Sequence, residues 1–196
     1  AAEKALVIEM KACEFLCERI FQASSQILEV AHVIAELDFY AGLATLAFEH
    51  KYNRPVINDT TNFCITNGRH PVVETMLKRS DQKNFISNDC HIAGAEDSSE
   101  GTPQIWLLTG PNMAGKSTFL RQNALIAILA QMGSYIPADS GEIGVVDRLF
   151  SRVGASDDLA RGKSTFMVEM VETASILNSS TSRSLVILDE IGRGTA

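Results

Sequence analysis

The eight residues Gly110-Pro111-Asn112-Met113-Ala114-Gly115-Lys116-Ser117 constrain this chain more than any other stretch. They fit the pattern G-x-x-x-x-G-K-[ST]. They follow a short apolar run, Ile105-Trp106-Leu107-Leu108, and lead into a helical pattern from Ser117 to about Met132. At average composition the bare pattern arises by chance in roughly one chain in a hundred of this length. The flanks sharpen it, because the chemistry needs a strand before the loop and a helix after it. Glycines let backbone N–H groups fold around phosphate oxygens. The helix N-terminus adds unsatisfied donors and the positive end of its dipole. Lys116 would then reach the β- and γ-phosphates of a nucleoside triphosphate, and the Ser117 hydroxyl would ligate Mg²⁺. The plain alternative is a strand–turn–helix capped by a serine.

A matching second half follows at Leu185-Val186-Ile187-Leu188-Asp189-Glu190. Two carboxylates at the end of an apolar strand are costly unless they meet cations or water. At the carboxyl end of a parallel strand they face the crevice where α/β proteins bind ligands. Asp189 would hold Mg²⁺ through water, and Glu190 would orient and deprotonate an attacking water. Between the two halves, Arg148 to Val153 reads as a strand and Thr165 to about Asn178 as a helix. Ser164 at that helix start is equally an N-cap or a hydroxyl for a γ-phosphate. Strands alternating with helices predict an α/β domain with a largely parallel sheet.

The N-terminal part is of another kind. Ala1 to Ala41 contains neither Gly nor Pro, so nothing interrupts a helix. Leu6, Cys13, Ile20, Ile27, Ile34 and Ala41 recur every seven residues. Three places on lie Glu9, Leu16, Ala23, Val30, Leu37 and Ala44, and eleven of these twelve positions are apolar. This is an a/d seam over several heptads. A helix of ~45 residues is ~65 Å long at ~1.5 Å per residue, so it should pack along its length. It is either a bundle helix buried on one stripe or a lever to a distant domain. Helical signals end near Tyr52-Asn53-Arg54-Pro55. Phe63-Cys64-Ile65-Thr66 and Val72-Val73 read as short strands about a turn at Asn67-Gly68. From Lys78 to Pro103 the chain reads as surface loop, with Phe85-Ile86 as an apolar exception. The expected domains are a helical segment, 1–52, and an α/β domain, 53–196.

Net charge is −7, with five of those units in the first 50 residues. Gripping nucleic acid requires clustered Lys and Arg, so a DNA-binding surface is expected outside this chain. The four cysteines, Cys13, Cys17, Cys64 and Cys90, form no C-x-x-C pair. They read as thiols of a reducing compartment rather than zinc ligands. The uninterrupted apolar runs fall far short of the ~18–20 residues of a membrane span. The expected location is the cytoplasm of a bacterium, or alternatively a mitochondrial matrix.

Thr109–Gln122 (TGPNMAGKSTFLRQ), Arg152–Met170 (RVGASDDLARGKSTFMVEM) and Leu188–Thr195 (LDEIGRGT) together resemble the ATPase domain of the MutS family of DNA mismatch-repair proteins. Asn67-Gly68-Arg69-His70-Pro71-Val72-Val73-Glu74 is similar to that family's lead-in to the ATPase, and the preceding helix to its lever. Met113 and Ser117-Thr118 resemble the mismatch-repair branch more than its recombination-suppressing relatives. The resemblance implies an ABC-type P-loop ATPase fold and composite sites in a dimer of identical or different subunits. It implies that Gly110, Pro111, Asn112, Met113, Ala114, Gly115, Lys116, Ser117 and Thr118 bind phosphates. Asp189 and Ser117 serve Mg²⁺, Glu190 is the hydrolytic carboxylate, and Lys116 acts with it. Ser164 reaches the ATP of the other subunit, and Phe85 and Ile86 pack the adenine. ATP and Mg²⁺ are the implied cofactors. Mismatched double-stranded DNA, held by regions outside this chain, and downstream repair factors are the implied partners.

Against that pattern, the chain stops inside a motif at Gly194-Thr195-Ala196. The family's histidine switch, dimerisation helices, mismatch reader and clamp are not in it. A truncated domain of this kind should hydrolyse ATP poorly or not at all by itself. One rival is another long-helix P-loop ATPase of DNA repair or recombination. Such proteins carry Ser-Gly-Gly where this chain has Lys163-Ser164-Thr165-Phe166-Met167. The other rival is an interaction module with a vestigial nucleotide site, against which Lys116, Ser117, Asp189 and Glu190 all stand intact. His70 reads as a structural turn histidine before Pro71, and His32, His50 and His91 show no partner pattern.

Overall fold

In the computed structural model the described residues are 2–80, 84–97, 102–111, 114–152 and 165–189. The chain divides into two compact units, Ala1–Thr45 and Leu46–Ala196. The first is helical: α1 (Ala2–Gln22) and most of α2 (Ser24–His50) meet at a single turn residue, Ala23. The ladder carries across that turn, since Ala23 N–H donates to Arg19 O at 3.1 Å and Ile27 N–H to Ala23 O at 3.0 Å. The heptad seam is present but uncovered, with Leu16, Ile20, Ile34 and Leu37 all exposed. By length and composition Ser24–His50 could cross a membrane, although no apolar run within it is unbroken. Glu36 and Asp38 sit at its midpoint, where a carboxylate in lipid costs about 3 kcal/mol. The charges and the seam favour a water-side packing helix.

The last turn of α2 belongs to the second unit, where two sheets form. β1 (Val56–Asn58), β4 (Ser140–Gly144), β2 (Phe63–Gly68) and β3 (Asn88–Ile92) line up in the order β1-β4-β2-β3. Only β1–β4 is parallel; β4–β2 and β2–β3 are antiparallel. β5 (Leu149–Arg152) and β6 (Leu185–Leu188) make a separate parallel pair. This corrects the expected ABC-type, parallel-rich sheet: the described residues form a small mixed sheet and a two-stranded one. The apolar run Ile105–Leu108, read as the strand before the glycine loop, pairs with no described strand, and Ile105 and Leu107 are exposed. A strand needs a neighbour to satisfy its backbone, and apolar character alone supplies none.

Helix α4 (Lys116–Gln131) packs Ile126, Ala127 and Ala130 onto the mixed sheet, against Phe63, Ile65, Cys90 and Ile143. Full burial of each isoleucine stabilises by about 2–3 kcal/mol. One turn before Ile126 the same stripe carries Gln122, completely buried, with neither amide atom partnered among the described residues. An unpaired buried amide of this kind costs about 1–3 kcal/mol. Burial pushes the Cys90 thiol up to about 12, so it stays protonated in the core.

The Asn67-Gly68 turn is also corrected. Asn67 lies within β2 at φ 52°, where the register slips between Ile65 and Gly68, so it forms a bulge rather than a hairpin turn. Asp89 accepts its N–H at 2.7 Å and Asp139 accepts from its side-chain amide at 2.8 Å. Val72-Val73 is not a strand but the start of α3 (Pro71–Arg79). Pro71 stands at the first helical position, and His70 caps the helix by accepting the Val73 N–H at Nδ1, 3.4 Å away.

Burial holds the His70 pKa below its ordinary 6.5, and Arg121 adds to the effect. Protonation would also remove the acceptor that caps α3. Above the unfolded-state value both states are neutral and the cap is intact. As pH falls below it the unfolded chain takes up the proton first, so stability declines until the folded-state value is passed. Urea unfolding at pH 7.5, 6 and 5 should therefore show a loss of about 1 kcal/mol that His70→Asn, a cap that does not titrate, abolishes. An equal loss in His70→Asn would assign it to other groups.

Candidate nucleotide site

The glycine loop turns on two residues with positive φ, Gly110 at 150° and Gly115 at 94°. Gly115 is the N-cap of α4, and its carbonyl accepts the first helical bond from Phe119 N–H at 2.9 Å. Among the described residues a Cβ at either glycine would meet no atom within 4 Å, so conformation rather than crowding demands glycine. Among the described residues, space is therefore open beside a helix N-terminus whose first N–H groups have no intrahelical acceptor. Ala114 N–H closes the loop onto Pro111 O at 3.3 Å.

Lys116 folds back across this loop. Its Nζ donates to Gly110 O at 2.7 Å and to Pro111 O at 2.9 Å. An ammonium has three donors, so one remains beyond these two bonds, with the positive charge held at the loop mouth. Ser117 and Thr118 are half-buried in the first turn of α4. Asn112 and Met113 lie outside the described residues.

Asp189 is buried at the end of β6. Its N–H donates to Arg152 O at 2.8 Å, extending the β5–β6 register one residue past Leu188. The Arg152 side chain pairs with Glu172 of α5 (Thr165–Ser179), tying that helix to the strand end that presents Asp189. The sequence places Arg152 on a strand but gives no sign of its pairing with Glu172. Leu108, two residues before Gly110, and Leu188, one before Asp189, line the same cavity of about 600 Å³. That cavity is apolar, with Trp106 stacked on Phe119 at 6.0 Å between ring centroids.

The remaining expected site residues are less gathered. Phe85 is half-buried and Ile86 is exposed on the approach to β3. Ser87 donates to Asn67 Oδ1 at 3.0 Å and fixes that approach to the β2 bulge. Ser164 and Glu190 lie outside the described residues. Among the described residues no three His, Cys, Asp or Glu side chains cluster to hold a metal. The oxygen donors of Ser117 and Asp189 are the hard type that suits Mg²⁺, an ion that keeps several waters and commonly takes only one or two protein carboxylates.

Comparison with known proteins defines the class first: residues 106–196 match the family model described as MutS domain V. Over those residues the chain is similar to the MutS family. The DNA mismatch repair protein MutS of Rhizobium meliloti (strain 1021) is 58% identical over 196 residues, covering 100% of this chain and 21% of the relative. The protein of that name from Azorhizobium caulinodans is 57% identical over 196 residues, again 100% of this chain and 21% of the relative. The chain thus spans about a fifth of the length of these curated relatives.

Proposed function

We propose that this chain is the nucleotide-handling part of a DNA mismatch-repair protein, binding and hydrolysing ATP and passing its nucleotide state to a clamp on mismatched DNA. The observation that carries the reading is the latch of Lys116 onto the Gly110 and Pro111 carbonyls at the start of α4. It sets a cation beside open loop space and free helix donors, which together suit a triphosphate.

In this reading Gly110–Thr118 wraps the phosphates, and Lys116 donates to β- and γ-oxygens as negative charge builds there. Ser117 and Asp189 would hold Mg²⁺, which when bound supplies charge neutralisation at those oxygens. Glu190 orients the attacking water and takes its proton onto the carboxylate. Phe85 and Ile86 pack the adenine; an exposed isoleucine gains from being covered by a base. Ser164 of the partner subunit reaches the γ-phosphate, so the site is complete only in a dimer and the chain alone turns over poorly. Residues 1–52 act as the lever and 53–196 as the nucleotide domain. DNA and downstream repair factors are engaged through the rest of the protein, in the bacterial cytoplasm.

A calorimetric titration of the whole protein with ATP tests this reading. Binding is expected to strengthen on adding Mg²⁺; no binding at about 1 mM nucleotide, with or without the metal, would refute it.

A further inference from the structure

A series of contacts leads from the helix that starts in the glycine loop to the end of α2. Gln122 lies on α4, six residues after Lys116. Its Nε2 is 2.7 Å from the point that a Cβ on Gly68 would occupy, so this glycine is required by space. Next to Gly68, Arg69 is fixed on three sides. Its N–H donates to Pro137 O at 2.7 Å, and its Nη1 meets the buried Glu74 carboxylate at 3.0 Å. Its Nη2 donates to the carbonyls of His50, at 3.3 Å, and Lys51, at 2.8 Å. The His50 carbonyl is among those a helix end leaves unpaired, at the negative end of its dipole, and Lys51 is the residue just past that end.

The helix end is itself closely held. Lys51 takes φ 53°, and Tyr52 N–H returns to Ala47 O at 2.9 Å, so the chain reverses in a Schellman-type cap. Asn53 then exchanges both backbone hydrogen bonds with Ile136. Such an end is braced by hydrogen bonds on both sides of the reversal, so a push on Arg69 would act on a held segment.

Contiguity alone is not coupling; an element with two arrangements is also needed. Gln122 supplies it. Both amide atoms are buried and unpartnered among the described residues. The Asn88 carbonyl lies 3.2 Å from the same point near Gly68. A displacement of α4 by a few ångströms at most would let the Gln122 amide donate to that carbonyl and relieve its desolvation cost. The displaced amide would then press on the Gly68–Arg69 backbone.

We infer that Gln122 and Arg69 form a relay through which occupancy of the glycine loop alters the C-terminal end of α2. The inference rests on the nucleotide reading above. It adds a route and two positioning residues outside the phosphate contacts.

The test is hydrogen exchange at the Tyr52 and Asn53 amides in the whole protein, with and without the non-hydrolysable triphosphate AMP-PNP and Mg²⁺. In the unaltered protein AMP-PNP should change these rates by about fivefold or more. Arg69→Gln and Gln122→Leu should each reduce the effect to less than about 1.5-fold, while the Kd for AMP-PNP stays within about twofold. Gln122→Leu keeps the volume and deletes the unpaired amide, so it should melt no lower than the parent even if Arg69→Gln folds poorly. A residue that merely fills space would leave the exchange response intact in Gln122→Leu, and that result overturns the relay. If AMP-PNP binds and the two amides do not respond, only the relay falls. If AMP-PNP does not bind at all, the nucleotide reading falls with it.

Discussion

Lys116→Ala is expected to lower the affinity of the whole protein for MgATP by about 100-fold. The ammonium already spends two donors on Gly110 O and Pro111 O, so it is pinned before any ligand arrives. Alanine removes the cation that would meet the β- and γ-oxygens and also the two bonds that shape the loop. Hydrogen bonds involving a charged group contribute about 1.5–3 kcal/mol each, and one to two of them account for a loss of that size. Arginine is not a conservative replacement, because its planar fork cannot take the place of a compact ammonium between two adjacent carbonyls. Glu190→Gln should behave oppositely. It keeps shape and polarity but cannot accept the water's proton, so affinity stays within about twofold while turnover falls by roughly 10²–10⁴. Equilibrium titration and single-turnover hydrolysis separate the two. Full affinity in Lys116→Ala would mean the phosphates sit elsewhere, and undiminished turnover in Glu190→Gln would remove that carboxylate from its role.

What could be read from the residues followed from where each element obtains its hydrogen bonds. Helices satisfy themselves internally, so their pattern suffices. The stretch from Ser117 to about Met132 became Lys116–Gln131, and Thr165 to about Asn178 became Thr165–Ser179. β6 is legible as a short apolar string bounded by polar residues, and β5 from the Leu149-Phe150 pair within Arg148–Val153. Strands that rely on neighbours far along the chain are not. β4 reads Ser-Gly-Glu-Ile-Gly, and two glycines demote any strand reading. It exists because β1 and β2 flank it. β3 reads as loop, although Cys90 and Ile92 face inward on it. The opposite error was made at Ile105–Leu108, whose apolarity promised a strand that the described residues leave without a partner. At Pro71 the valine pair hides a usable signal: His70 followed by Pro71 is a cap and a first helical position, while Val72-Val73 alone reads as strand. Within the candidate site the glycine loop was legible residue by residue, because phosphate chemistry dictates its spacing. The Arg69 clamp was not, since an arginine that caps a helix end 18 residues earlier leaves no local pattern.

Gly144→Ala should be among the most damaging single substitutions in the mixed sheet, lowering stability by about 4 kcal/mol and the melting temperature by about 10 °C. Gly144 closes β4 and pairs in register with Asn58 of β1. Its N–H donates to Asn62 O at 2.7 Å, so the Thr60–Asn62 turn lies directly across it. A Cβ built there would sit 1.8 Å from Thr60 O and 2.7 Å from Thr60 C, both backbone atoms that no rotamer change can move aside. The turn is further held by Asn58, whose Oδ1 accepts from Thr60 N–H at 3.1 Å and from its hydroxyl at 2.6 Å, and by Asp97 on Thr61. Relief therefore means opening β4 from the turn and losing the Gly144–Asn62 bond in a sheet that buries Phe63 and Ile143. Gly42 supplies the contrast. It lies inside α2, with nothing within 4 Å of where a Cβ would go, so Gly42→Ala should gain up to about 1 kcal/mol of helix propensity. Thermal melts followed by circular dichroism compare the two directly. A Gly144→Ala protein melting within about 2 °C of the parent would mean the Thr60 turn gives way at little cost, and the close approach would not be what requires glycine.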